Sequence, residues 1–194
     1  MKRASPRDWI AFVVLVLLGV LVAALFGVLV GIVQGRAALA APPREPCDLV
    51  LRSSERPRFR INAGDLEDLS RTIFAEANNQ SLCGKIAVGF VAVNRVEKDP
   101  AAWGETVSRV VRKRHQFTPW TGARSRARLE RLDELDAGYL EASLAASLVL
   151  TGSIDDPSGG ATYFHARSMV PPRWAKRMVR TVVIGGHVFY RGKS

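Results

Sequence analysis

The segment Lys85-Ile86-Ala87-Val88-Gly89-Phe90-Val91-Ala92-Val93-Asn94-Arg95-Val96 decides the fold. From Ile86 to Val93 it has no polar side chain, so its apolar residues cover nearly every face of a helix. Such a helix is stable only when surrounded, which predicts a central buried helix with the polar pair Asn94-Arg95 toward its end. Upstream, Leu66, Leu69, Ile73 and Ala77 recur at intervals of three and four, an apolar stripe predicting a helix from a cap at Asp65 through about Ala77. Downstream, Leu140, Leu144 and Leu148 at spacing four predict a third helix over about Ala137 to Leu150, with Gly152 as its stop. After Pro157 and Gly159-Gly160 the pattern changes to that of strands. Ala161–His165 and Thr181–Tyr190 are rich in β-branched and aromatic residues. Gly185-Gly186 suits a two-residue hairpin turn between Val182–Ile184 and His187–Tyr190. Pro171-Pro172 opens a short helix between the strands. Three main helices followed by a small antiparallel sheet make an α+β domain.

The 194 residues allow one ordinary domain with an appendage, and 47% apolar content excludes wholesale disorder. Two cysteines, Cys47 and Cys83, exclude a disulfide-dense scaffold and a zinc site of four thiolates. A net charge of +10 favours anionic partners: nucleic acid, membrane headgroups or an acidic wall polymer.

The amino terminus selects among these. Trp9 to Val33 carries no charge and, as a helix, spans about 37 Å, enough to cross a bilayer. Lys2, Arg3 and Arg7 precede it, which keeps the terminus cytoplasmic and sends the remainder across. The expected organisation is a cytoplasmic basic terminus (1–8), a transmembrane signal anchor (9–33), a proline-bearing linker (34–60) and a globular domain (61–194). Ala38-Leu39-Ala40 also suits a signal peptidase, but the apolar run is long for a cleavable signal. An extracytoplasmic, periplasmic domain argues against a nucleic-acid partner. It also permits Cys47 and Cys83 to pair, the alternative for Cys83 being a small buried residue.

Glu76 leads the candidates for chemistry. It sits at the edge of the first helix's apolar stripe, where partial desolvation raises a carboxyl pKa and suits it to donate a proton near neutrality. The alternative is a carboxylate that only caps or salt-bridges a helix end. The run Arg114 to Trp120, with Gln116, Phe117 and Thr118, reads either as a sugar-binding lip or as loop aromatics packed on the core. Tyr163 and His165 share one strand face. His187 reads as a structural histidine. No HxxxH, HExxH or CxxC spacing occurs, so neither metal nor cofactor is expected. Eight basic residues between Arg109 and Arg131 meet one acid, Glu130; they read as a solvated face or as a contact for anionic polymer. Asp155 and Asp156, before the Gly159-Gly160 turn, read as loop caps, the alternative being a second carboxylate for the chemistry.

Taken in order, six stretches resemble one family. They are Ile73-Phe74-Ala75-Glu76-Ala77, Ile86 to Arg95, Gln116-Phe117, Gly160-Ala161-Thr162-Tyr163-Phe164-His165-Ala166, Pro172-Arg173-Trp174-Ala175 and Ile184-Gly185-Gly186-His187-Val188-Phe189-Tyr190-Arg191. The chain from about Leu66 to Arg191 thereby resembles the SleB/CwlJ-type cell wall hydrolases. The resemblance implies a lysozyme-like α+β fold, peptidoglycan as partner and glycan-strand cleavage. It places the family's catalytic glutamate on Glu76, with Gln116, Phe117, Tyr163 and His165 toward substrate. Relatives often continue the catalytic Glu-Ala with Arg-Gly-Glu, where this chain has Asn78-Asn79-Gln80. A single placed acid suits a lytic transglycosylase, whose muramic acid supplies its own 6-hydroxyl as nucleophile. A muramidase-type hydrolase, a peptidoglycan amidase and a non-catalytic wall-binding module are the competing expectations. The oligomeric state is left open.

Overall fold

A computed structural model describes residues 63–132 and 136–193. The predicted span 9–33, the linker 34–60 and Cys47 lie outside the described residues. Among the described residues no helix is long and apolar enough to cross a membrane.

Three long helices carry the core: α1 (Ala63–Ala77), α2 (Leu82–Lys98) and α6 (Ala137–Thr151). Between α2 and α6 lie three short ones: α3 (Pro100–Trp103), α4 (Val107–Arg112) and α5 (Ala123–Glu130), with a 3-10 turn at Thr118–Trp120. β1 (Tyr163–Ala166), β2 (Val179–Ile184) and β3 (His187–Arg191) form an antiparallel sheet in the order β1-β3-β2. A 3-10 turn at Arg173–Arg177 stands where the short helix after Pro171-Pro172 is predicted.

Helix α2 is enclosed over most of its length, Ile86 to Val93 being buried without interruption. Ser81 caps it, its hydroxyl accepting from the Gly84 N–H. Its buried cation, Lys85, pairs with Glu141 of α6 and donates to the Gln80 carbonyl at 3.1 Å. Gly89 marks the tightest approach in the bundle. A Cβ there would lie 3.1 Å from Ile73 Cδ1 of α1 and 3.2 Å from Val149 Cγ2 of α6. Cys83 is disulfide-bonded.

Two details of the helices depart from expectation. Asp65 does not cap α1; it lies within the first turn, buried, and its carboxylate accepts from the Ser108 N–H at 2.8 Å. In α6 the stripe of Leu140 and Leu144 faces outward, 53% and 51% exposed. The buried face is Ala142, Ala145, Ala146 and Val149. Small residues let α6 lie close against α1 and α2, and that proximity outweighs the larger leucine area on the other side. Gly152 ends the helix in the left-handed conformation (φ 68°), as its sequence position suggests.

The hairpin follows its pattern. Ile184 pairs with His187 across Gly185-Gly186, and Gly185 has φ 51°. Phe164 and Phe189 pair and pack on the helical core, while Tyr163 and His165 point to the opposite face. The Gly186 N–H donates to Gln80 Oε1 at 2.7 Å, tying the hairpin tip to the turn that follows α1.

Candidate active site

A cleft of about 620 Å³ opens beside the carboxyl end of α1. One wall is Phe74, Glu76 and the following Asn78. Thr118 and Pro119 form a second wall, and Ser125, Arg128, Leu129 and Leu132 a third. Glu76 is half-buried and is the one acidic residue among the described lining residues.

Burial raises the Glu76 carboxyl above its ordinary value near 4.5. Two smaller effects oppose this: the Thr118 N–H, which donates to Glu76 Oε1 at 3.2 Å, and the positive charge of Arg95. Because Oε1 accepts that bond, the acidic proton belongs on Oε2.

The Thr118 amide is held by a chain of contacts that begins one turn earlier in α1. Trp120 Nε1 donates to Thr72 Oγ1 at 2.8 Å, and the Thr72 hydroxyl donates to the Asp68 carbonyl at 2.6 Å. The Arg112 guanidinium lies 4.4 Å over the Trp120 ring and donates twice to the Asp68 carboxylate, at 2.6 and 2.7 Å. Arg71 of α1 donates to the Leu129 carbonyl and so ties down the end of α5. Both cleft walls opposite Glu76 are thus fastened to the helix that carries it.

Arg95 acts on Glu76 through its charge, from outside the lining of the cleft. Its guanidinium stacks against Trp103, Phe117 and Tyr163 at 4.7, 4.8 and 5.5 Å. Nε donates to the Thr162 carbonyl at 2.8 Å. Burial lowers its pKa to about 10, with Tyr163 and then Glu76 acting in the opposite direction, and it stays cationic at neutral pH. The neighbouring Asn94 donates to Asp156 and to the Ala161 carbonyl, at 2.9 and 3.0 Å. Asp156 also accepts the Ser158 and Gly160 N–H groups, so it serves as the loop cap its position suggests.

The four residues expected to face substrate are placed differently from Glu76. Phe117 is buried in the core, 2% exposed, with one ring face under Arg95. Gln116 is half-buried, its carbonyl 3.5 Å from Arg95 Nη1. Tyr163 is half-buried between Trp103 and Trp174, its ring 5.4 and 5.3 Å from theirs. His165 is buried in the aromatic layer beyond the sheet, where its Nδ1–H donates to the Ala166 carbonyl and Nε2 accepts from the Tyr190 hydroxyl. None of the four lines the cleft that holds Glu76. The loop run meets that cleft one residue later, through Thr118 and Pro119.

His187 lies on the core face against Phe164, its pKa lowered by burial and then by His165. Among the described residues no cluster of three or more His, Cys, Asp or Glu is placed to hold a metal ion. Ser125 and Arg128 are cleft residues that the sequence does not single out, and Asn78, where the chain departs from its relatives' pattern, is on the cleft wall. In the sequence Asn78 reads as a helix terminator and Arg128 as one more surface cation.

A half-dry carboxylic acid held by a backbone amide in an open cleft, on an α+β scaffold, is an arrangement that can support general acid–base chemistry. The chain belongs to the cell wall hydrolase family, whose model matches residues 79–190, and it is a peptidoglycan-cleaving enzyme. The matched region begins three residues after Glu76. The fold is similar to two solved structures. One is the catalytic domain of the Bacillus cereus SleB protein, with 24% identity, TM-score 0.56, and 70% of this chain and 95% of that one covered. The other is the catalytic domain of a germination-specific lytic transglycosylase SleB from Bacillus anthracis, with 23% identity, TM-score 0.56, and 68% and 98% covered. No curated protein matches the chain.

Proposed function

We propose that the chain is a membrane-anchored lytic transglycosylase acting on peptidoglycan glycan strands, with Glu76 as its single general acid and base. The observation that carries this reading is the desolvated carboxyl of Glu76 in the cleft. Its proton, on Oε2, passes to the glycosidic oxygen as the C1–O bond of muramic acid breaks. The resulting carboxylate then takes the proton of the same sugar's 6-hydroxyl, whose oxygen closes on C1. The product is a 1,6-anhydro ring, and no water is consumed. Phe74, Leu129 and Leu132 keep the acid partly dry, which favours its protonated form and raises its pKa.

The absence of a second acid among the described lining residues supports this chemistry over ordinary hydrolysis, which uses two carboxylates. Asp133 and Glu134, next in sequence to the lining residue Leu132, lie outside the described residues. The anchor at 9–33 and a periplasmic site of action rest on the sequence. The similarity of the fold to a lytic transglycosylase agrees with the proposed reaction.

The test is release of soluble fragments from purified sacculi. Glu76→Gln should lower the rate by about 10²–10⁴-fold, while Asp133→Asn and Glu134→Gln keep the parent's rate. Undiminished release by Glu76→Gln sinks the assignment, and loss in Asp133→Asn or Glu134→Gln converts it to a two-carboxylate hydrolase.

A further inference from the structure

The cleft that holds Glu76 continues past Arg128. A second hollow of about 540 Å³ shares Arg128 and Leu132 with the first and is otherwise lined by Arg124, Ala127 and Arg131. The two hollows meet at Arg128 and Leu132, and three arginines, Arg124, Arg128 and Arg131, line the second. Arg124 and Arg128 are four residues apart, a spacing at which like charges on a helix repel.

This row is not neutralised in the way the neighbouring arginines are. Arg71 pairs with Glu67, Arg109 with Glu105, and Arg112 with Asp68 and Glu130. Arg124, Arg128 and Arg131 have no carboxylate within ion-pair distance among the described residues. Arg128 is exposed and lines both hollows, so it is accessible to a ligand that also reaches Glu76.

We infer that Arg128, flanked by Arg124 and Arg131, forms an anion subsite that binds a carboxylate of the strand being cut. A guanidinium presents a planar fork of donors that matches a carboxylate, which an uncharged sugar lacks. The inference rests on the reading that Glu76 acts on peptidoglycan. That polymer offers carboxylates from two sources: the acids of the peptide stem, and the lactyl acid freed on muramic sugars whose stem has been removed. Asn78, Thr118 and Ser125, between Glu76 and the row, supply neutral hydrogen-bonding groups suited to the sugar itself.

The experiment uses the full chain in detergent micelles, with Glu76→Gln to halt turnover. Binding is measured by co-sedimentation with sacculi carrying intact stems and with sacculi partly stripped by limited amidase digestion, which leaves enough cross-links for the mesh to sediment. Each preparation is also tested after its carboxylates have been capped as neutral amides. Capping should weaken binding about three- to tenfold, and adding Arg128→Gln should remove most of that sensitivity. Sensitivity that falls on stripping identifies the stem acids; sensitivity that rises on stripping identifies the lactyl acid. Arg128→Lys keeps the charge without the fork and should restore only part. Far-UV circular dichroism confirms that the exposed substitution leaves the fold intact, and Arg131→Gln provides a second variant expected to act in the same direction. The inference is overturned if capping weakens binding equally with and without Arg128, or not at all. Fragment release by Glu76→Gln is scored separately, so a failure of the glycan-cleavage reading is distinguishable from a failure of the subsite.

Discussion

Thr118→Pro removes from the cleft the amide hydrogen that donates to Glu76 Oε1, and with it the Thr118 hydroxyl, whose separate effect Thr118→Val reports. The backbone accepts the change. Thr118 opens a 3-10 turn, a position that tolerates proline, and Phe117 before it has φ −130° and ψ 128°, within the range a following proline allows. A hydrogen bond to a charged group contributes about 1.5–3 kcal/mol, and a long bond of 3.2 Å on a half-buried acid falls below that range, at about 1 kcal/mol. The bond stabilises the ionised form, so its loss raises the Glu76 pKa further, by about 0.7 unit. Glu76 must be protonated to start the reaction, so activity falls as pH rises through this pKa. The alkaline limb of kcat/KM on sacculi should therefore move to higher pH by about 0.7 unit. A folded Thr118→Pro protein whose alkaline limb coincides with the parent's refutes the claim that this amide tunes the acid.

Three further outcomes follow from the packing. Because burial raises the Glu76 pKa, the folded protein holds its proton to higher pH than the unfolded chain. The stability from this group is complete below about pH 4.5 and is lost as pH rises through the folded value. Glu76→Gln should thus raise the melting temperature at pH 7 and leave it unchanged at pH 4; a gain at both would point to packing instead. Gly89→Val forces methyl groups into space already 3.1 Å from Ile73 and 3.2 Å from Val149, and should cost about 3 kcal/mol in a urea titration. Gly89→Ala should lie near the parent, because helix propensity returns about 1 kcal/mol against the squeeze. Glu141→Gln leaves Lys85 buried beside a neutral partner, and Glu141 is itself 45% exposed. The expected cost is about 1–2 kcal/mol by the same titration.

Much of the fold is legible wherever a single local rule decides the outcome. An all-round apolar segment has to be surrounded, so α2 is readable as the centre of the bundle. Gly185-Gly186 between two β-branched runs is a hairpin whatever else the chain does. The readings that depart are those where a side chain serves a distant element. Asp65 looks like a helix cap because nothing nearby in sequence reveals Ser108. Leu140 and Leu144 look like a core face because periodicity ranks size, whereas the bundle selects the alanine side for its close approach.

The site divides in the same way. The position of Glu76 at the edge of an apolar stripe is visible in the spacing, and the 114–120 run is readable as a candidate lip, but its place beside Glu76 is not. Which members of that run face the cleft is not visible. Phe117 and Trp120 turn inward to Arg95 and Thr72, and the backbone amide of Thr118 meets the acid. Tyr163 and His165 do share a strand face, but that face meets Trp174 and Tyr190 rather than Glu76. Arg128 is indistinguishable in sequence from its basic neighbours, because only the fold shows which of them are paired with acids.

The most direct measurement is mass spectrometry of muropeptides released by the full chain from purified sacculi in water enriched in oxygen-18. Intramolecular closure by the 6-hydroxyl predicts 1,6-anhydromuramic ends with no heavy oxygen incorporated, and no such ends from Glu76→Gln. Reducing ends carrying one heavy oxygen per cut would contradict the account and assign water as the nucleophile.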